Sequence, residues 1–124
     1  MRPDISELEG FSASARLRIA ADQRGQFLAV QRRVEGEPGE GSVWRHVSRI
    51  YLPREVAIRG YALDEARLHP GGQVTPLDDD GIELLCEPTG SCGPATIYLE
   101  GSRSDRSRIA ILPFAGAPIV MSDW

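Results

Sequence analysis

The feature that most constrains this chain is a run of strict two-residue alternation, closed by a glycine turn and followed by a second alternating run. Ala15, Leu17, Ile19 and Ala21 fall on one side of an extended backbone, with Arg16 and Arg18 on the other. Side chains of a strand alternate between faces, so this is the pattern of a half-buried β-strand. Asp22-Gln23-Arg24-Gly25 supplies turn residues. Phe27 to Val34 then alternates again, with Leu28 and Val30 on one face and Phe27 and Ala29 on the other. Two such runs joined by a short loop containing Gly predict a β-hairpin.

Short apolar runs continue to the end of the chain. Val43 to Leu52 is a third strand, stopped by Pro53, and Val56 to Ile58 a short fourth. Ile82 to Cys86, Ala95 to Leu99, Arg108 to Leu112 and Ile119 to Met121 complete the set. Between them lie a flexible acidic loop (Glu35 to Ser42), the Pro88-Thr89-Gly90 turn, a polar turn at Ser102 to Ser107 and a turn at Gly116. Many short strands near ten residues apart, punctuated by 13 Gly and 9 Pro, predict a mainly β fold of antiparallel sheets, sandwich-like. At 124 residues the chain reads as a single domain, 1–124. Two segments depart from the strand pattern. Asp4 to Gly10 has capping-box spacing, with Glu7 three residues after Asp4, and predicts a short helical turn. Tyr61 to Asp80 has little periodicity and four Gly or Pro residues, which predicts a long irregular connection of the functional or mobile kind.

Charge narrows the partners. The chain carries 14 basic and 18 acidic residues, a net charge of −4, and so has no general affinity for nucleic acid or anionic membrane. Every basic residue is Arg. That reflects either a compositional bias or a surface suited to bidentate carboxylate pairing. No apolar run approaches the roughly 18–20 residues that span a bilayer. Met1 to Gly10 is polar and acidic, unlike a signal peptide. The chain therefore reads as cytosolic, or as a head that follows a membrane segment outside it.

Catalytic motifs do not emerge from the sequence. It contains no G-x-S-x-G elbow, H-E-x-x-H, Walker loop or G-x-G-x-x-G. His46 reads as a partly buried strand histidine and His69 as an exposed loop histidine. The expectation is a protein that is not an enzyme and uses no cofactor. The one candidate metal cluster is Asp78, Asp79, Asp80 and Glu83 around Gly81, since close-set carboxylates at a bend suit Ca²⁺. Its spacing does not match an EF-hand, and a solvated acidic turn accounts for the same residues. Cys86 and Cys92 flank turn material and are candidates for a disulfide or for two free thiols. A C-x2-C spacing and a nearby His, which zinc would need, are missing. Arg103, Arg106 and Arg108 cluster, and Arg32 adjoins Arg33, yet few aromatics interleave with them, so they read as solvated strand faces rather than a base-stacking platform. Trp44 and Trp124 suit carbohydrate stacking in a generic β-sandwich binder, against a core Trp44 and a frayed Trp124.

The last third also resembles a known family. Cys86-Glu87-Pro88-Thr89-Gly90-Ser91, then Thr96 to Leu99, then Arg106-Ser107-Arg108-Ile109-Ala110-Ile111, then Gly116 with Ile119-Val120 follow the strand-and-turn order of the GspH/FimT minor pseudopilins. The Ala15–Val34 hairpin and Leu52-Pro53-x-x-Val56 are similar to the body of that family. Cys86 stands where the family has Phe, and Ala117-Pro118 replaces its basic residue. Its hallmark, a Gly-Phe-Thr-Leu-x-Glu-like cleavage site leading into a hydrophobic helix, does not occur in these 124 residues. The resemblance implies a periplasmic head of a type II secretion pseudopilus, α+β once that anchoring helix is counted, at the periplasmic face of the bacterial inner membrane. Its implied partners are other pseudopilins and secreted substrate proteins, with no nucleic acid and with membrane contact only through the helix. The Glu35–Ser42 loop and the Tyr61–Asp80 segment are the expected contact surfaces. A minor pilin of a type IV pilus has the same fold; its DNA-uptake forms carry a cationic C-terminal region, unlike Ser122-Asp123-Trp124.

Overall fold

The alternating run becomes strand β1, Ala15–Asp22, and its partner becomes β2, Gly25–Glu35, paired antiparallel through the Asp22–Gly25 turn. The computed structural model describes residues 15–87, 92–113 and 118–124. The Asp4–Gly10 turn, Pro88-Thr89-Gly90 and Gly116 lie outside the described residues. After β2 come β3 (Ser42–Tyr51), β4 (Val56–Leu63), β5 (Thr75–Pro76), β6 (Ile82–Cys86), β7 (Ala95–Gly101), β8 (Arg106–Ile111) and β9 (Ile119–Met121). The first sheet has the order β3-β2-β1-β6 and the second β5-β4-β7-β8-β9, with every pairing antiparallel. The described chain is thus mainly β, and among the described residues no helix is long and apolar enough to cross a membrane.

The core lies between the sheets. Ile19 and Ile82 come from the first sheet and Ile58 and Ile97 from the second, flanked by Leu17, Leu28, Leu99, Ile109 and Ile111. Each fully buried aliphatic side chain contributes about 1.5–3 kcal/mol. Leu17 and Ile19 share the inner face as the alternation requires, but Ala21 does not: it is exposed, and Ala20 is buried on the opposite side. There Ala20 joins Phe27, Ala29 and Tyr51 in a second, smaller apolar cluster on the outer face of the first sheet. Ala20 sits opposite Phe27 in the register, where a small side chain lies beside a large ring.

The expected fourth strand is too short by five residues, because β4 runs to Leu63. Tyr61 packs on the inner core and Ala62 faces outward, so the pattern is strand-like but its outer face is covered. The eighth strand starts at Arg106 rather than Arg108 and ends at Ile111, which shortens the preceding turn. β7 is buried on both faces from Ala95 to Tyr98. Its inner side chains meet the core, while Thr96 and Tyr98 face outward beneath the segment that follows β4.

Two irregularities join the layers. The β4–β7 register shifts between Ile58 and Gly60. At that point Gln26 crosses from β2: its amide nitrogen donates to the Ile58 carbonyl (2.7 Å), and the Ile58 N–H donates to the Gln26 Oε1 (2.6 Å). One side chain thus takes the place of a strand neighbour for both backbone groups, which buried backbone requires. At the start of β6, Gly81 has a φ of +72°, and a Cβ there would collide with the Ile19 carbonyl oxygen and with Ala20. Only Gly fits that turn beside β1.

Candidate functional site

The outer face of the first sheet interleaves cations with rings, contrary to the reading of its arginines as plain solvated faces. The Arg16 guanidinium lies 4.6 Å from the centre of the Trp44 ring and that of Arg33 5.2 Å from it. Arg49 lies 4.1 Å above Phe27, and Arg24 5.9 Å from Tyr51. Register explains the first group: Arg33 faces Trp44 across β2–β3, and Arg16 sits beside Gln31 one strand over. Trp44 is therefore not a core residue. It is half-buried because guanidinium groups cover it, a favourable contact with the ring quadrupole. Arg16 also donates to Gln31 and pairs with Glu83 at 3.2 Å.

At the hairpin turn, the Tyr51 hydroxyl donates to Asp22 at 2.6 Å, the Arg24 N–H donates to the same carboxylate, and Arg49 stands 3.5 Å away. The Tyr51 hydrogen bond above all, then the Arg24 backbone bond and the two arginine charges, hold the Asp22 carboxyl below the usual carboxylate range.

The second sheet carries a buried polar layer that sequence reading missed. Arg108 is 1% exposed. Its Nε donates to the Arg67 carbonyl (3.0 Å), and its Nη1 donates to the Asp123 carbonyl (3.1 Å) and pairs with the Asp123 carboxylate (2.8 Å). Arg67 donates to the Gln73 carbonyl and to the Tyr98 hydroxyl, and pairs with Glu65 at 3.1 Å. Those bonds, Glu65 first, raise its pKa further and keep it charged. Thr96 ties the same segment down: its hydroxyl accepts from the Arg67 N–H and donates to the Glu65 carbonyl, both at 2.8 Å. Trp124 is packed rather than frayed: its indole donates to the Leu99 carbonyl, its ring meets Tyr98 edge-on, and its carbonyl accepts from Gly71. The segment after β4 is thus fastened over β7 and β8, while its residues 68–73 stay exposed.

The other candidate residues are dispersed. Asp78 caps its own turn, its carboxylate accepting from the Asp80 and Gly81 N–H groups. Asp79 and Asp80 are exposed, and Glu83 points to Arg16 from β6. Among the described residues no group of three or more His, Cys, Asp or Glu is arranged to hold a metal ion. Cys86 and Cys92 are joined as a disulfide, with Cα atoms 4.1 Å apart across an isolated β-bridge. His69 is exposed as expected, but His46 is exposed too, because it stands on the end strand of its sheet. The Glu35–Ser42 loop closes on itself through the Gly36 N–H donating to the Gly41 carbonyl. Arg106 leans on the Trp124 ring at 4.5 Å, and Arg103 is exposed.

The site that emerges is a set of surfaces suited to contact: a guanidinium–aromatic face on one sheet and a fastened cover on the other. Compared with known proteins, the chain matches no protein-family model, no curated protein and no solved structure.

Proposed function

We propose that this chain is the periplasmic head of a minor pseudopilin of a type II secretion system, a structural subunit that acts by contact rather than by making or breaking bonds. One observation carries the reading. Three of the segments that resemble the GspH/FimT family, Thr96 to Leu99, Arg106 to Ile111 and Ile119-Val120, are consecutive antiparallel neighbours β7, β8 and β9 of one sheet, while Cys86, where the first segment begins, ends β6 in the other sheet. The two-sheet antiparallel architecture is compatible with such a head, although fold by itself does not fix function. In this reading the partners are other pseudopilins and exported substrate proteins, and the anchor is a hydrophobic helix preceding the head. A test is to mix the purified domain with the heads of the other minor pseudopilins of the same host. Co-elution as a defined complex in size-exclusion chromatography is the expected result. Separate elution of every pair and of the full mixture would overturn the reading.

A further inference from the structure

Among the described residues the fold leaves one long strand edge open. β3, ten residues long, ends its sheet and pairs only with β2. The opposite edge strand, β6, has five residues, and the edges of the second sheet, β5 and β9, have two and three. An open edge presents a row of backbone donors and acceptors to any extended chain. β3 carries Arg45, His46 and Arg49 and no carboxylate, on a molecule whose net charge is −4. It also exposes apolar surface, with Val47 58% and Ile50 63% accessible. The register shift at Val30/Gln31 sets Arg45 opposite Arg32 and Arg49 opposite Ala29, so the two arginines lie on opposite faces of the sheet.

Arginines and a bulge on an edge strand defend against pairing with a second copy, since an antiparallel copy would bring guanidinium groups together. The same chemistry selects a partner of opposite charge. We infer that β3 is a docking edge for an extended acidic polypeptide segment, which adds to the first sheet as a fifth strand with carboxylates against Arg45 and Arg49. Strand addition supplies backbone hydrogen bonds, and alternate side chains supply the choice of partner. A polypeptide suits this edge better than a nucleic acid. A strand edge offers alternating N–H and C=O groups, and a phosphate backbone can only accept. Guanidinium groups already cover the Trp44 and Phe27 rings that unpaired bases would need. Asp22 and Glu83 also interrupt the positive face. The inference does not depend on the pseudopilus reading, and its test requires no secretion machinery, so either can fail alone.

The experiment titrates the isotope-labelled protein with a capped octapeptide, Thr-Glu-Val-Glu-Glu-Val-Glu-Thr, with its Arg-for-Glu counterpart, and with oligothymidylate. Amide hydrogen exchange is read along β3. The acidic peptide is expected to bind with a Kd below about 1 mM and to slow exchange at alternate β3 amides at least about tenfold. The arginine peptide is expected not to bind. Arg45→Glu with Arg49→Glu, both exposed positions, is expected to weaken the acidic peptide about tenfold and to admit the arginine peptide. Should that double variant unfold, Arg45→Ala with Arg49→Ala replaces it, with the same loss of acidic-peptide affinity expected. Equal binding of both peptides, no β3 protection by the acidic one, preferential binding of oligothymidylate, or β3 protection that rises with protein concentration alone would each overturn the inference.

Discussion

Arg108 and Asp22 show how charge is used at single residues. The Arg108 guanidinium is removed from water and repaid by the Arg67 carbonyl and by Asp123, whose carboxylate is still 62% exposed. Arg108→Ala leaves the Arg67 carbonyl without its donor and opens a void beside Tyr98 and Met121. A loss of about 3 kcal/mol in urea unfolding is expected. Asp123→Asn keeps an acceptor and is expected to cost less, about 1 kcal/mol, in the same assay. Asp22 behaves oppositely, as an exposed carboxyl with a depressed pKa. Its contribution to stability is fully present above the pKa of the unfolded chain and disappears as pH falls through the lower folded value. Following the Asp22 carboxyl carbon by NMR should give a midpoint below that of an ordinary Asp, and Tyr51→Phe, which removes the largest cause, should move it upward. An unchanged midpoint in that variant would show that the arginines set it instead. Neither residue's role was legible in the sequence. Arg108 looks like its neighbours Arg103 and Arg106 until the chain after β4 is seen to cover it, and Asp22 looks like any turn residue until Tyr51 arrives from 29 positions away.

At the scale of elements, the alternating pattern predicted β1 and β6 well because one face of each is buried in the core, and β3 and β9, which have no buried residue, were delimited by Pro53 and by their short apolar runs. β1, β3, β6 and β9 lie within a residue or so of expectation. It failed where both faces are covered. β4 looked finished at Ile58 because Gly60 and Tyr61 break the alternation, yet Gly60 is required: a Cβ there would meet the Thr75 carbonyl oxygen at 2.6 Å. The sequence also gave no sign of Gln26, whose side chain fills the gap at the Ile58 shift. Gln26→Glu keeps the shape but cannot donate to the Ile58 carbonyl. It is expected to cost about 2 kcal/mol in chemical unfolding and to speed exchange of the Ile58 amide. Gly81→Ala must either shift β6 from β1 or strain the turn, and about 2 kcal/mol or more should be lost. The Cys86–Cys92 loop is short, so replacing both cysteines by Ser is expected to cost only about 2 kcal/mol.

For the whole molecule, two sheets enclose an isoleucine-centred core, one outer face is a guanidinium–aromatic surface and the other is sealed by a fastened segment. The Tyr61–Asp80 segment is anchored through Arg67 to Thr96, Tyr98 and Arg108 and keeps residues 68–73 at the surface. The first sheet and its open β3 edge remain accessible among the described residues. The fold class was legible because strand spacing and turn residues are local properties. The sites were not, because they arise where distant strands meet. The central claim, that this domain serves protein export as a pseudopilus subunit, is tested most directly by deleting its gene in the host and measuring exoprotein secretion, pilus-dependent motility and DNA uptake side by side. The account predicts lost secretion with motility and uptake intact, restored by the wild-type gene. Intact secretion, whether or not motility or uptake fails, would contradict it.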